Sequence, residues 1–272
     1  MTDQPTEALL NAARNGDRQA VEALLQQEQS RIFRFGMNMC GNPADAGDIA
    51  QETMLAVARS LPDYRAEGSF STWLFTIARR FCMRKRRQGR SVAAAGGADV
   101  ADEEIASPQA GPEEAMSQAQ LGAILESAIA TLSPEDREVL VLRDVEGLKA
   151  SEVAAVLSLS ESAVKSRLHR ARLAVREQVA PAIGRVVPES ARSSACPNVL
   201  SLYSQHLEDE ITPQVCDTMS AHLETCDGCH RLCDSLKHSL ALCSRQTAEV
   251  PEDMKRRIRE SVLGVVQAVA GR

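Results

Sequence analysis

The stretch SEVAAVLSLSESAVKSRLHRARLAV, residues 151–175, divides at a turn. Ser151 to Leu157 reads as a short helix, and Ser158-Leu159-Ser160 supplies the turn into a second helix. That second helix reads as long and basic. On it Val164, Leu168, Ala171 and Val175 recur at three- and four-residue spacing and make one apolar seam. Lys165, Ser166, His169, Arg170 and Arg172 fall off that seam, with His169 as an exposed helix residue. A short helix buttressing a second one with a basic, hydrogen-bonding face suits entry into a DNA major groove. The same pattern also fits an amphipathic pair whose charged face is merely solvated. Upstream, Ser133-Pro134-Glu135-Asp136 places a capping serine, a first-turn proline and two acids at a helix start, and Glu146-Gly147-Leu148 ends that helix. The block spans 121–180.

The rest of the 272 residues surrounds this block with helical signals. Aromatics make up only 3% of the chain and alanine is abundant, so runs of strand character are scarce. Residues 8–90 read as successive helices, with apolar stripes at Ala20, Val21, Leu24 and Leu25 and at Ile49, Met54, Leu55 and Val57. Gly41-Asn42-Pro43 and Leu61-Pro62-Asp63 interrupt them. Phe70, Trp73 and Phe75 read as core. The stretch 91–120 has six acids and no basic residue between Ser91 and Gln118, and it reads as a flexible acidic linker.

The net charge of −6 speaks against a nucleic-acid partner only superficially, because the charge is segregated. Arg79, Arg80, Arg84, Lys85, Arg86, Arg87 and Arg90 form one stripe without an acid, and Lys165, Arg167, Arg170, Arg172 and Arg176 form another. Local stripes of this kind set the electrostatic footprint for DNA.

Six of the eight cysteines crowd the block 194–245, while Cys40 and Cys82 read as small buried residues. So short a block with few large apolar groups needs a staple to fold. His222-x3-Cys226-x2-Cys229, with Cys196 upstream, offers thiolates and an imidazole suited to tetrahedral Zn²⁺. His222 and Cys226 are expected on one helix face, and Gly228 at the turn that returns Cys229. Cys216, Cys233 and Cys243 exceed a four-ligand set. Soft donors also admit Cd²⁺ and copper. Metal sensing, a structural zinc and a thiol redox switch all remain open here. Residues 251–270 read as an amphipathic helix that closes the metal domain, with Ile258, Val262, Val265 and Val266 as its apolar set.

Three segments resemble two regions of a known family. SESAVKSRLHRAR, 160–172, and LSPEDREVL, 132–140, resemble region 4 of extracytoplasmic-function sigma factors. GNPADAGDIAQETMLAVARSLPDYRAEGSFSTWLFTIARR, 41–80, resembles their region 2. The resemblance implies an all-α chain with a region 2 bundle and a region 4 helix-turn-helix joined by the linker. It implies that Asp45, Asp48, Gln51 and Glu52 dock on the clamp of core RNA polymerase, whose flap is also a partner. Gly47 stands where an acid is common in the family. The loop from Tyr64 through Arg65 to Ser69 would capture a flipped base of the −10 element. Arg79, Arg80 and Arg84 would hold the strand backbone, and Lys165, Ser166, His169 and Arg170 would read the −35 element of promoter DNA. The cysteine block resembles a zinc-binding anti-sigma domain with Cys196, His222, Cys226 and Cys229 as ligands, and metal-responsive sigma factors look similar.

Nothing in the chain reads as an enzyme or a site for a small-molecule substrate. The N-terminus, 1–17, lacks the pattern of a secretory signal, and no apolar run reaches membrane-spanning length. A cytoplasmic protein is expected. The rival for the whole chain is a polymerase-independent helix-turn-helix regulator.

Overall fold

The computed structural model describes residues 7–94, 118–191 and 193–270. Most of the acidic linker and residues 1–6 of the N-terminus lie outside the described residues. The fold is all-α, with no strand among the described residues. In chain order the helices are α1 (Glu7–Arg14), α2 (Arg18–Cys40), α3 (Pro43–Ser60), α4 (Phe70–Ala94), α5 (Gln118–Thr131) and α6 (Pro134–Leu140), which runs on as a wider helical turn through Val145. Then come α7 (Ala150–Leu157), α8 (Glu161–Ala182), α9 (Val199–His206), α10 (Pro213–Thr225), α11 (Asp227–Arg245) and α12 (Glu252–Ala270). The described residues form two compact units: 7–94, 155–158 and 247–270 in one, 118–154 and 159–246 in the other.

Local chemistry sets the helix ends. Asp17 caps α2 by accepting from the backbone N–H groups of Gln19 and Ala20 at 2.8 and 3.0 Å. Gly41 ends it in the left-handed region at φ 75°, where its N–H reaches the Met37 carbonyl. Asn42 then caps α3 through Asp45 N–H at 2.8 Å, with Pro43 in the first turn. Ser133 and Ser160 cap α6 and α8 in the same way, each accepting at 3.2 Å from the N–H three residues on. The Gly41-Asn42-Pro43 turn and the Ser133 cap are the ones the sequence points to.

In the first unit α2, α3 and α4 pack together around Leu24, Ile32, Phe35, Ile49, Met54, Leu74 and Phe75, all buried. Phe35 and Phe75 meet edge to face at 5.6 Å. Arg31 is buried there too, donating to Glu28 at 2.7 Å and to Ser71 at 3.2 Å. Gly36 allows α2 and α3 to approach: a Cβ on it would stand 2.8 Å from Ala46 Cα. Phe70 and Phe75 are core as expected, whereas Trp73 is only half-buried. Cys82 is buried, but Cys40 is half-buried, and a hydrogen bond with Cys82 leads the causes that lower its thiol pKa.

The last helix departs from expectation. α12 does not close the cysteine-rich block; it packs in the first unit along α3 and against α2. Met254, Ile258, Val262 and Val266 are buried in that contact. The apolar stripe was legible, but a stripe says only that a face is covered, not by what.

In the second unit the seam Val164, Leu168, Ala171 and Val175 is fully buried, and α8 packs with α5 and α6 and also with α9 and α11. The cysteine-rich helices thus share a unit with the helix-turn-helix block. Their own apolar cluster is small, centred on Val199, Cys229 and Leu232.

Candidate nucleic-acid interface and metal centre

Asp45 and Asp48 occupy the first half of α3, where α4 supplies counter-charges. Lys85 Nζ lies 3.1 Å from Asp45 and 2.5 Å from Asp48. Hydrogen bonds to Asp48 and then Asp45 raise the Lys85 pKa, while those from Asn42 and Lys85 lower that of Asp45. Glu52 pairs with Arg84, whose guanidinium also sits 4.9 Å over the Phe81 ring. An acid expected to dock on polymerase and an arginine expected on the DNA strand therefore hold one another. Arg80 is exposed and Arg79 half-buried. Gln51 donates to Ser261 of α12 at 3.3 Å.

The loop between α3 and α4 borders a pocket of about 530 Å³. Tyr64, Arg65, Gly68, Ser69 and Trp73 are among its walls. Tyr64 is a wall rather than a free ring: its hydroxyl donates to the Gly68 carbonyl at 2.8 Å, and Trp73 lies 4.8 Å away, tilted. Burial raises its pKa. Ala66 holds the loop open at φ 55°, a conformation unfavourable for a residue with a Cβ. Ser69 accepts from Thr72 N–H at 3.2 Å and so starts α4. Arg65 stays exposed, 4.0 Å from Glu67. The cavity is large enough for a nucleobase and carries one aromatic face, Trp73, not fully spent on the core.

On α8 the four expected readers differ. Ser166 and Arg170 are exposed, with Arg170 donating to Asp136 at 3.0 Å and to Ser166 at 3.2 Å. His169 is not the exposed residue expected. It is half-buried with Nδ1 enclosed and unpartnered, and burial followed by Arg172 and Arg170 lowers its pKa. Lys165 is held by the cysteine-rich block: Nζ donates to the Glu208 carbonyl at 3.2 Å and lies 3.4 Å from the Glu210 carboxylate.

Arg172 corrects the sequence reading most. It falls off the apolar seam yet is 1% exposed. Its guanidinium takes Asp144 in a fork at 2.8 and 2.7 Å, Glu208 at 2.7 Å and Ser204 at 3.3 Å. Arg143 donates to the same Glu208 at 3.1 Å. A buried cation is tolerable only with such partners. Helix periodicity cannot show this, because the acids come from distant positions.

The four candidate ligands converge. One donor atom each from Cys196, His222, Cys226 and Cys229 lies within 4.8 Å of all the others. Cys226 makes the turn itself, extended at φ −115° and ψ 97° between α10 and α11, and Gly228 lies inside α11 instead. Cys196 and Cys226 Sγ atoms stand 3.8 Å apart. Two thiolates about 2.3 Å from a tetrahedral Zn²⁺ stand roughly 3.8 Å apart, against about 2.05 Å in a disulfide. His222 Nε2 is buried with no hydrogen-bond partner, a nitrogen that a cation would satisfy. The donor set fits zinc.

The surplus cysteines are not among these converging donors. Cys233 and Cys243 are buried, and burial raises both thiol pKa values, far above the ordinary range for Cys243. Cys216 meets His206 Nδ1 at 3.8 Å.

Comparison with known proteins gives the same division. A model of Sigma-70 region 2 matches residues 24–92, and one of Sigma-70 region 4 matches 122–175. The chain is similar to "ECF RNA polymerase sigma factor SigE" of Mycolicibacterium smegmatis, at 34% identity over 183 residues, covering 66% of this chain and 70% of that protein. It is also similar to "RNA polymerase sigma factor NccH" of Alcaligenes xylosoxydans xylosoxydans, at 32% over 176 residues, 63% of this chain and 94% of that one. Among solved structures, the sigma factor RpoE in complex with the anti-sigma factor NepR from Bartonella quintana matches at 23% identity. That match has a TM-score of 0.44 and covers 63% of this chain and 92% of that one.

Proposed function

Because the chain belongs to the extracytoplasmic-function family of RNA polymerase sigma factors, we propose that its cysteine-rich block holds a tetrahedral metal and controls promoter recognition in cis. Members of this family bind core RNA polymerase, direct promoter-specific initiation and are not enzymes. The region 2 match also speaks against a polymerase-independent regulator, which has no use for that domain.

In this reading α3 docks on the polymerase clamp through Asp45, Asp48, Gln51 and Glu52. The pocket beside Trp73 takes an extruded −10 base, and Arg79, Arg80 and Arg84 neutralise the phosphates flanking it. Ser166, His169, Arg170 and Lys165 present α8 to the −35 element, with the polymerase flap as a further partner. Cys196, His222, Cys226 and Cys229 bind Zn²⁺, or Cd²⁺ or copper as a sensed metal. The metal supplies the bonds that a segment with so small an apolar cluster lacks. A closed cysteine-rich block keeps Lys165 on Glu208 and Glu210, so loading the site lowers −35 contact and opening it raises it.

The observation that carries this reading is the convergence of three thiols, Cys196, Cys226 and Cys229, with a buried, unpartnered His222 Nε2. The test is run-off transcription by core polymerase with the full-length protein, metal-free and with Zn²⁺, Cd²⁺ or copper added, alongside metal content by mass spectrometry. One metal per chain, lost in Cys226→Ser/Cys229→Ser, together with a transcript yield that falls on loading, is the expected result. A yield independent of metal leaves the site a structural staple and removes the control.

A further inference from the structure

Helix α6 packs on α8, and one of its acids reaches the face expected to meet DNA. Asp136 Oδ1 accepts from the Arg170 guanidinium at 3.0 Å, across 34 positions of sequence. Asp136 is itself fixed at its backbone, where its N–H donates to the Ser133 hydroxyl at 3.2 Å. The other terminal nitrogen of Arg170 donates to Ser166 Oγ at 3.2 Å. The fork of this arginine is thus tied on one side by α6 and on the other by its own helix. Its side chain nevertheless stays 57% exposed, whereas that of Asp136 is 17% exposed. Among the expected −35 contacts, Lys165 is held by Glu208 and Glu210 and His169 is half-buried, which leaves Arg170 as the cation that is both exposed and anchored.

An ion pair with so exposed a cation adds little to stability. What it supplies is geometry. A free arginine samples many rotamers, and one held at both terminal nitrogens need not be ordered when it meets DNA. The guanidinium carries more N–H groups than these two bonds use, so a pair is left for N7 and O6, the two acceptors that guanine shows in the major groove. We propose that Asp136 is a positioning residue for −35 recognition, orienting Arg170 toward a guanine of that element. The proposal rests on the reading of Arg170 as a −35 contact. The Asp136 carboxylate is also repelled by DNA phosphates, so it opposes binding in general while favouring one base pair. Those opposite signs separate positioning from a purely structural role.

The test binds holoenzyme, core polymerase with the full-length protein, to a pool of randomised duplexes in the metal condition that gives the higher transcript yield. Sequencing the bound DNA gives the preference at each base pair. A good bidentate contact discriminates by about 5–150-fold against the wrong base, and Arg170→Ala is expected to erase a preference of that size at one G·C pair. Asp136→Ala should cut the preference at the same pair by about 2–13-fold, the cost of ordering one long side chain. Total retention of the pool should hold or rise in that variant, and Asp136→Glu, which keeps the carboxylate, should restore most of the preference. Full preference in Asp136→Ala at the pair that Arg170→Ala erases overturns the positioning role and leaves Arg170 a reader. A stronger preference overturns it as well, since Asp136 would then compete with the base for the guanidinium. So does an equal loss at every position with lower retention, the mark of a structural role. If Arg170→Ala erases no G·C preference, the reading of Arg170 itself fails and the proposal falls with it.

Discussion

Replacing Arg172 with Met keeps the length and apolar volume of the side chain and removes its charge. The guanidinium is 1% exposed and faces Asp144 through two bonds, Glu208 through one and Ser204 through two more. Without it Asp144 remains as a nearly buried anion lacking its fork partner. Glu208 keeps Arg143 at 3.1 Å, so only one carboxylate is stranded outright. Removing one member of a buried ion pair costs about 3–5 kcal/mol, and the surviving Arg143 contact places this case near 3 kcal/mol. At a urea m-value of about 1–3 kcal/mol/M, that lowers the midpoint by roughly 1–3 M. The single tryptophan, Trp73, belongs to the first unit, whereas helical ellipticity reports on both units. Urea unfolding of the full-length protein by both signals therefore locates the loss: an ellipticity component should move to lower urea while the Trp73 transition stays in place. An ellipticity midpoint within about 0.3 M of wild type would refute the argument, since it would mean that the network gives α8 no net stability.

Three further outcomes are expected from the same geometry. Gly36→Ala forces a methyl against the Ala46 backbone and should destabilise the first unit by about 1–3 kcal/mol, read as an earlier Trp73 transition in urea. On the proposed reading, stripping metal with a strong chelator removes a contribution of about 10 kcal/mol or more from the cysteine-rich helices. Ellipticity should fall at once while Trp73 emission holds; an unchanged spectrum would count against a metal-stapled block. His169 is held below its ordinary pKa first by burial and then by Arg172 and Arg170, so the unfolded chain takes the proton before the folded one as pH falls. The stability of the neutral ring is complete above about pH 6.5 and is lost as pH drops toward the folded value. His169→Gln should therefore flatten the decline in urea midpoint between about pH 7.5 and 5.5, and an equal decline in both proteins would rule this origin out.

Much of this was legible in the chain because the signals are local. Asn42-Pro43 and Ser133-Pro134 each satisfy a backbone group three residues away, so these helix starts are set by neighbours alone. The seam on α8 needs only helical period, and three of the four metal donors lie within two turns of sequence. The family resemblance in 41–80 and 132–172 is likewise carried by contiguous residues, and the matches to regions 2 and 4 agree with it.

Tertiary structure alone decided where charges and apolar faces found partners. Arg172 reads as one more basic residue on a DNA-facing helix until Asp144 and Glu208, 28 and 36 positions away, enclose it. Lys165 likewise looks available for a promoter until the Glu208 carbonyl and Glu210 arrive from the cysteine-rich block. For α12 the sequence determined that Ile258 and Val262 share a face that must be covered. Hydrophobic burial has no direction of its own, so the choice of partner fell to shape: the missing Cβ of Gly47, into which Met254 fits.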